Sequence, residues 1–286
     1  MMRRILFLLT ALVCGFAQAQ MPHSFHSTTG LIGEWKLCGD TTTSGGGCVP
    51  SGNTSVYDSS GFGNNGIWGG TASGTTGWYS AGYNQASAGA FDGTDNQIDL
   101  GTSMNPLHGN GSSATLVAFF NLSSSAPSNS TYYVVEKGND TTSSSYGIGF
   151  GWTGAIASSS IVAQCFNSAG SESWASASNI YTPGTWVFAA ATYQGSTVTL
   201  YVNGASKAAA SCSPLPVSTT NHMLLGATTR SSPYTYRFMG LIQDVCIYNR
   251  ALSAVEVAGM YQAAVAMLDG SVTPPWDRQL LELRRA

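Results

Sequence analysis

The feature that most constrains this chain is a repeated alternation between short apolar segments and polar turns, which extends from Glu34 to Tyr248. The turns are rich in Gly, Ser, Asn and Thr, and helical periodicity is absent from the span. This pattern predicts an all-β chain with two antiparallel sheets packed as a sandwich. Asn203-Gly204 predicts a hairpin turn, because both residues tolerate a positive φ. The clearest predicted strands, β-branched or aromatic and bounded by turn residues, are 115–120, 132–135, 161–166, 186–193 and 197–202.

One short helix is predicted after the strands. Ser253 and Glu256 form a capping box at the start of residues 253–266. The apolar stripe expected to pack on the core consists of Val257, Met260, Tyr261 and Ala264. Residues 268–286 include a proline breaker and are interpreted as a loosely attached tail, with a docking peptide as the alternative.

Composition and charge exclude two classes of function. Charged residues make up only 9% of the chain, against about 25% in typical proteins, which indicates a surface of Ser, Thr, Gly and Asn. The net charge is -3, and Lys and Arg cluster only at the termini. A nucleic-acid partner is therefore not expected. Beyond the first residues no segment is apolar enough to span a bilayer, so an integral membrane protein is not expected either.

The first 19 residues predict export. Arg3 and Arg4 precede an apolar run over 5–13, and Ala17-Gln18-Ala19 provides a small-residue cleavage site. This arrangement is typical of a secretory signal peptide, and the run is too short for a membrane-spanning helix. Residues 20–29 are interpreted as an N-terminal linker, and the mature chain is expected to be secreted or at the cell surface.

Export permits disulfides, and five cysteines follow the signal peptide. Cys38 and Cys48 flank a glycine-rich loop with no packing of its own, which makes them the first predicted pair. Cys165 and Cys212 are the second predicted pair. Cys246 lies in an apolar segment and is expected to be a buried free thiol.

Seven segments occur in a characteristic order: 30–35, 58–66, 90–100, 184–193, 200–204, 224–226 and 238–253. Together they resemble the LamG-like (laminin G) domains of the concanavalin A-like lectin/glucanase superfamily. The resemblance implies a two-sheet antiparallel jelly-roll sandwich over residues 30–267. Trp186 and Tyr201, which lie in predicted strands, are expected to fill the core between its sheets.

The resemblance also implies a calcium ion at the rim of the sandwich. The matching positions are Asp58, the oxygens from Asn64 to Gly66, and a carboxylate of the last strand. At that last position this chain has Gln243, with Asp244 one residue later. Successive strand side chains point to opposite faces, so the displacement matters unless a bulge corrects it. The alternative is that Asp58 only caps its own turn.

A glycan surface is the second predicted site, because lectin-type sites place sugar rings on exposed aromatic faces. Trp152 and Trp174 lie in polar, glycine-rich stretches and are the leading candidates. Trp78 and Tyr79 are the candidates ranked after them. Further candidates are Trp68, Tyr83, Tyr234 and Tyr236. For each, the alternative is a lid over the edge of the sandwich.

Catalytic residues are not expected. Retaining glycosidases use two carboxylates about 5.5 Å apart, and in the superfamily that this chain resembles they usually lie on one strand at alternate positions, so that both face the same cleft. None of the glutamates here has a second acid two residues away. The sequence favours an exported, non-catalytic carbohydrate-binding domain, with calcium as a cofactor and a role in surface adhesion or glycan recognition. The alternatives are a self-associating structural building block without glycan affinity and a divergent polysaccharide-cleaving enzyme.

Overall fold

The computed structural model describes residues 28–37, 54–71, 79–81, 87–107, 113–127, 130–139, 143–150, 160–166, 172–212, 221–228 and 236–268. In chain order the elements are β1 (Leu31–Trp35), β2 (Ser55–Val56), β3 (Gly66–Gly69), β4 (Tyr79–Ala81), β5 (Ser87–Asp92), β6 (Gln97–Asp99), β7 (Ser113–Leu122), β8 (Tyr132–Asn139), β9 (Ser143–Phe150), β10 (Ile161–Phe166), β11 (Glu172–Ala177), β12 (Trp186–Gln194), β13 (Thr197–Val202), β14 (Ala205–Ser211), β15 (Met223–Leu225), β16 (Met239–Tyr248) and α1 (Ala254–Leu268).

The strands form two eight-stranded antiparallel sheets. Sheet A has the order β14-β13-β12-β7-β16-β5-β4, and β1 also pairs with β16. Sheet B has the order β11-β10-β9-β8-β15-β6-β3-β2. The predicted jelly-roll sandwich with one C-terminal helix is therefore confirmed. The five strands predicted most clearly correspond to β7, β8, β10, β12 and β13.

The main core lies between the sheets and follows the alternation of the strands. In β7, Leu116, Ala118 and Phe120 point inward and are fully buried. Val117 and Phe119 point to the outer face of sheet A, where they join a second apolar cluster. Sheet A is therefore covered on both faces, which explains why its central strands are apolar throughout.

The helix α1 covers that outer face. Ser253 Oγ accepts the N–H of Glu256 at 3.3 Å, and the Glu256 carboxylate accepts the N–H of Ser253 at 2.8 Å, which confirms the capping box. Val257 and Met260 are buried in the second cluster. Trp186 and Tyr201 pack there too, so the prediction that they fill the core between the sheets was wrong.

A disulfide joins the two sheets at one side. Cys165 in β10 is bonded to Cys212, which directly follows β14. This confirms the second predicted pair, whereas Cys38 and Cys48 lie outside the described residues. Cys246 is a buried free thiol, as predicted. No helix in the described part of the chain has the length and apolarity needed to cross a membrane.

Candidate functional site

One end of the sandwich gathers strand ends from both sheets. Asp92 ends β5 and pairs with Met239 at the start of β16. Gly240 pairs in turn with Leu122 at the end of β7. In sheet B, β8 begins at Tyr132. Because antiparallel neighbours alternate in direction, the connections that follow β5 and β7 and those that precede β8 and β16 meet at this end.

A cleft of about 610 Å³ opens between these connections, and we call it the rim cleft. Its wall combines apolar surface with polar side chains, among them two tyrosines, one carboxylate and one guanidinium. The described residues that line it are Asp92, Gly93, Thr94, Ser125, Pro127, Ser130, Thr131, Tyr132, Tyr236, Arg237 and Met239. Hydroxyl groups and aromatic faces are the groups that proteins use to hold sugars, so this wall has the chemistry of a carbohydrate site.

Asp92 is held in a fixed orientation by the turn that follows it. Its Oδ1 accepts the backbone N–H groups of Thr94 at 2.8 Å, Asp95 at 3.1 Å and Asn96 at 3.3 Å. Gly93 provides the positive φ of 74° that this turn requires. No described residue donates a hydrogen bond to Oδ2. The turn thus immobilises the carboxylate and leaves one oxygen available to a ligand.

Tyr236 lines the cleft in a strained backbone conformation. Its φ is 47°, in the left-handed region that bulky residues avoid. The carbonyl of Tyr236 accepts the N–H of Tyr133 at 3.2 Å, and the two rings meet edge to face at 6.2 Å. Such strain costs about 1–2 kcal/mol and persists only where the surroundings impose it, which is common at ligand sites.

Tyr132 and Arg237 complete the wall. Tyr132 is buried, its hydroxyl donates to the carbonyl of Pro127 at 3.1 Å, and burial raises its pKa above the usual value, so the phenol stays protonated. Nη1 of Arg237 donates to the carbonyl of Asp95 at 2.6 Å and to Oε1 of Gln97. Arg237 is therefore anchored to the connection between β5 and β6.

Asp95 lies behind Arg237. Its carboxylate accepts the N–H of Thr71 at 3.0 Å and the Thr71 hydroxyl at 2.8 Å. These two hydrogen bonds, followed by the charge of Arg237, lower the pKa of Asp95. Asp95 is therefore ionised at neutral pH.

The Asp58 turn, the first predicted calcium position, is closed by its own hydrogen bonds. Asp58 Oδ1 accepts the N–H groups of Glu34 at 2.9 Å and Ser60 at 2.8 Å, and Oδ2 accepts the N–H of Asn64 at 2.9 Å. The carbonyl of Asn64 accepts the indole N–H of Trp35 at 3.0 Å. Three of the roughly four acceptor positions of the carboxylate are thus occupied. An ion would have to share them, and calcium binding here stays a prediction.

A β-bulge marks the other predicted calcium position. The register of β16 against β7 shifts between Ile242 and Asp244, which leaves Gln243 as the extra residue. Asp244 then points to the outer face of sheet A, where its carboxylate, Glu34 and the Cys246 thiol lie within 4.8 Å of one another. Burial, followed by the nearby Asp244 and Glu34 charges, raises the pKa of Cys246, so the thiol stays protonated.

The aromatic residues predicted to bind sugar fall in different places. Trp174 is half-buried in β11, opposite Gln164 of β10, and neither strand contributes a described residue to the rim cleft. Trp78 and Trp152 lie outside the described residues, as do Tyr83 and Tyr234, and only the backbone of Tyr79 is described, at the start of β4. Trp68 is buried in the main core, so that candidate was wrong.

Of the predicted aromatics that the structure describes, only Tyr236 lies in the rim cleft. Asp92 looked like an ordinary turn residue, and nothing in the sequence distinguishes Tyr132 or Arg237. The Asp-Gly turn at the end of a strand was a signal for Asp92. This turn indicates a site only once the strand pairing places Tyr236 and Asp92 in the same cleft.

The fold and the cleft define a two-sheet jelly-roll domain with a cleft at one rim. Residues 92–258 match the Laminin_G_3 family of the concanavalin A-like lectin/glucanases superfamily, and the chain belongs to this family. A comparison with curated proteins finds no match.

Solved structures with the same fold include two kinds of protein. Domain 4 of AbnA, a GH43 extracellular arabinanase from Geobacillus stearothermophilus in complex with arabinotriose, is 19% identical with a TM-score of 0.54, over 81% of this chain and 98% of that one. The binding domain of botulinum neurotoxin DC in complex with SialylT is 12% identical with a TM-score of 0.56, over 82% of this chain. This chain spans about half of that domain, 52% of its length. At these identities the likeness shows the fold alone.

Proposed function

We propose that this chain is an exported, non-catalytic carbohydrate-binding domain whose ligand site is the rim cleft. The observation that carries the proposal is Tyr236, an aromatic residue held in the left-handed region at the wall of the rim cleft. A sugar ring would stack on such an immobilised ring at little entropic cost. The open oxygen of Asp92 would accept a hydrogen bond from a sugar hydroxyl.

The charges of the cleft support a binding role over a catalytic one. Asp92 is the only carboxylate among the described residues that line it. Hydrolysis of a glycosidic bond ordinarily requires two carboxyl groups, one as acid and one as nucleophile or base. The arabinanase domain of the same fold was solved with arabinotriose, which is consistent with a sugar ligand on such a sandwich.

A glycan array of residues 20–286 tests the proposal with three variants. Tyr236→Phe keeps the ring and should bind as the original chain does. Tyr236→Asn removes the ring but tolerates the left-handed backbone, and should lose at least about tenfold in affinity. Trp174→Ala is the matched control outside the cleft and should bind normally. Loss of binding in Trp174→Ala with retention in Tyr236→Asn would overturn the assignment of the site, and no binding by the original chain would overturn the function.

We propose that the calcium ion implied by the family resemblance binds at the Asp58 turn and not in the rim cleft. Asp58 contacts Glu34, which pairs with Cys246, whereas Met239 lines the cleft. Met239 and Cys246 are about 20 Å apart along β16 at about 3.3 Å per residue. A chelator should therefore lower the melting temperature without changing glycan affinity. Glycan binding that disappears with the chelator would contradict this placement, and an unchanged melting temperature would contradict calcium binding.

A second candidate function is that of a self-associating building block, and β14 favours it. This strand ends sheet A, and most of its side chains are exposed. Unpaired edge strands are templates for association with another chain. Against this function stands Lys207 in the same strand, because a charged side chain on an edge strand disfavours pairing with another chain. Sizing the protein in solution beside the glycan array separates the two functions, since a building block predicts a defined oligomer with no glycan bound.

A further inference from the structure

We infer that the rim cleft selects uncharged glycans over glycans that carry a carboxylate. This inference rests on the proposed function and adds the chemical class of its ligand. It follows from three charged groups among the described residues at this end of the sandwich and from the hydrogen bonds in which each one already takes part.

The open oxygen of Asp92 is the first determinant. All three backbone N–H groups that hold this carboxylate bind Oδ1, and Oδ2 accepts no hydrogen bond from the described residues. A carboxylate oxygen accepts a hydrogen bond from a hydroxyl but has no proton to give to another carboxylate. A uronic or sialic acid group placed beside Asp92 would meet a like charge.

Arg237 is the second determinant, because it is the only cation among the described residues of the cleft wall. A carboxylate ligand would ordinarily be held by a guanidinium through two parallel hydrogen bonds. Nη1 of Arg237 instead donates to the carbonyl of Asp95 and to Oε1 of Gln97. The Nη1 N–H groups of Arg237 are therefore engaged in anchoring the wall.

The third determinant is the sum of the local charges. Asp95 stands behind Arg237 and is ionised, since two hydrogen bonds from Thr71 stabilise its charged form. Among the described residues at this end, Asp92, Asp95 and Arg237 together leave one negative charge. Tyr132 adds none, because burial raises its pKa and keeps the phenol protonated. The field in the cleft therefore repels an anion and leaves a neutral hydroxylated ring unaffected.

The test compares neutral glycans with counterparts that carry one carboxylate. Galactose-terminated oligosaccharides are measured beside their sialylated counterparts, and glucose oligosaccharides beside counterparts that end in glucuronate. We expect the neutral member of a bound pair to bind at least about tenfold more tightly. The preference should shrink between about 0.1 M and 1 M salt, where the Debye length falls from about 10 to about 3 Å.

Two variants locate the origin of the selectivity. Asp92→Asn keeps the oxygen that caps the turn and removes the charge, so the acidic member should gain at least about tenfold relative to the neutral one. Glu172→Gln is the control, because it changes the net charge equally at the start of β11, where Glu172 pairs with Phe166 at the opposite end of the sandwich. Its selectivity should equal that of the original chain.

The outcomes separate this inference from the proposed function. Equal or tighter binding of the acidic members, lost in Tyr236→Asn, would overturn the charge selectivity and leave glycan binding in the cleft intact. A selectivity that Asp92→Asn does not change would also overturn it. Failure of both kinds of glycan to bind would overturn the proposed function and the inference together.

Discussion

Replacing Tyr236 by glycine should cost less stability than replacing it by alanine, the reverse of the usual order. The φ of Tyr236 is 47°, and the left-handed region costs a residue with a Cβ about 1–2 kcal/mol. Glycine avoids this cost but loses about 0.5–1 kcal/mol more backbone entropy than alanine on folding. The difference between the midpoints of the two ranges leaves the glycine variant more stable than the alanine variant by about 0.75 kcal/mol.

Both variants lose the ring, so its contribution cancels in this comparison. The edge-to-face contact with Tyr133 at 6.2 Å is worth about 0.5–1.5 kcal/mol beyond the area it buries. Tyr236→Phe retains this contact and should remain the most stable of the three variants. The expected order of stability is therefore phenylalanine, glycine, alanine.

Urea denaturation of the three variants, followed by tryptophan fluorescence, measures this order from the midpoints at constant slope. Tyr57 provides the matched control, because it is a tyrosine outside the sheets, 39% exposed and without a positive φ. There the alanine variant should be the more stable by about 0.5–1 kcal/mol. An alanine variant at 236 that equals or exceeds the glycine variant would refute the strain on which the cleft assignment depends.

Three further predictions concern the rest of the fold. The Arg250 guanidinium lowers the pKa of Glu256 from 4.5 to about 2, so its stabilising contribution should be complete above pH 4.5 and lost as the pH falls toward 2, and Glu256→Gln should remove this dependence in urea denaturation. Burial lowers the pKa of Lys137 from 10.5 to about 8. The unfolded chain then holds the proton longer, so stability should rise as the pH increases above 8, and Lys137→Met should flatten that rise. Replacing Cys165 and Cys212 by alanine removes a bond between residues 47 apart and should cost about 4 kcal/mol, whereas an unchanged melting temperature would contradict the cross-link.

The long strands were predictable because each carries its own signal. The strands β7, β10, β12 and β13 are rich in β-branched and aromatic residues between turns. Each could therefore be located in the sequence before its pairing partners were known. β15, by contrast, is three residues long and exists because β6 and β8 accept it on either side. Strands of this kind depend on partners that are distant in sequence, so local pattern alone does not predict them.

The face to which a strand residue points was less predictable. Trp186 and Tyr201 have the size and hydrophobicity of core residues, and both join the apolar cluster on the outer face of sheet A. A sheet covered on both faces gives continuous apolar strands, in which alternation no longer separates inside from outside. The bulge at Gln243 could not be predicted from the sequence either, because it is apparent only in the register of β16 against β7.

Asp58 and Asp92 show why the candidate site could not be read from motifs. In sequence each is an aspartate followed closely by glycine, the pattern of a hydrogen-bonded turn. In the structure each accepts three backbone N–H groups, but Asp58 uses both oxygens and Asp92 uses only one. The hydrogen bonds that close the Asp58 turn occupy both oxygens of its carboxylate, whereas Oδ2 of Asp92 accepts none from the described residues and is available to a ligand. This distribution is set by the positions of the donors, which follow from the fold. A glycan contact is therefore expected at Asp92, whereas the resemblance assigns Asp58 to a calcium ion.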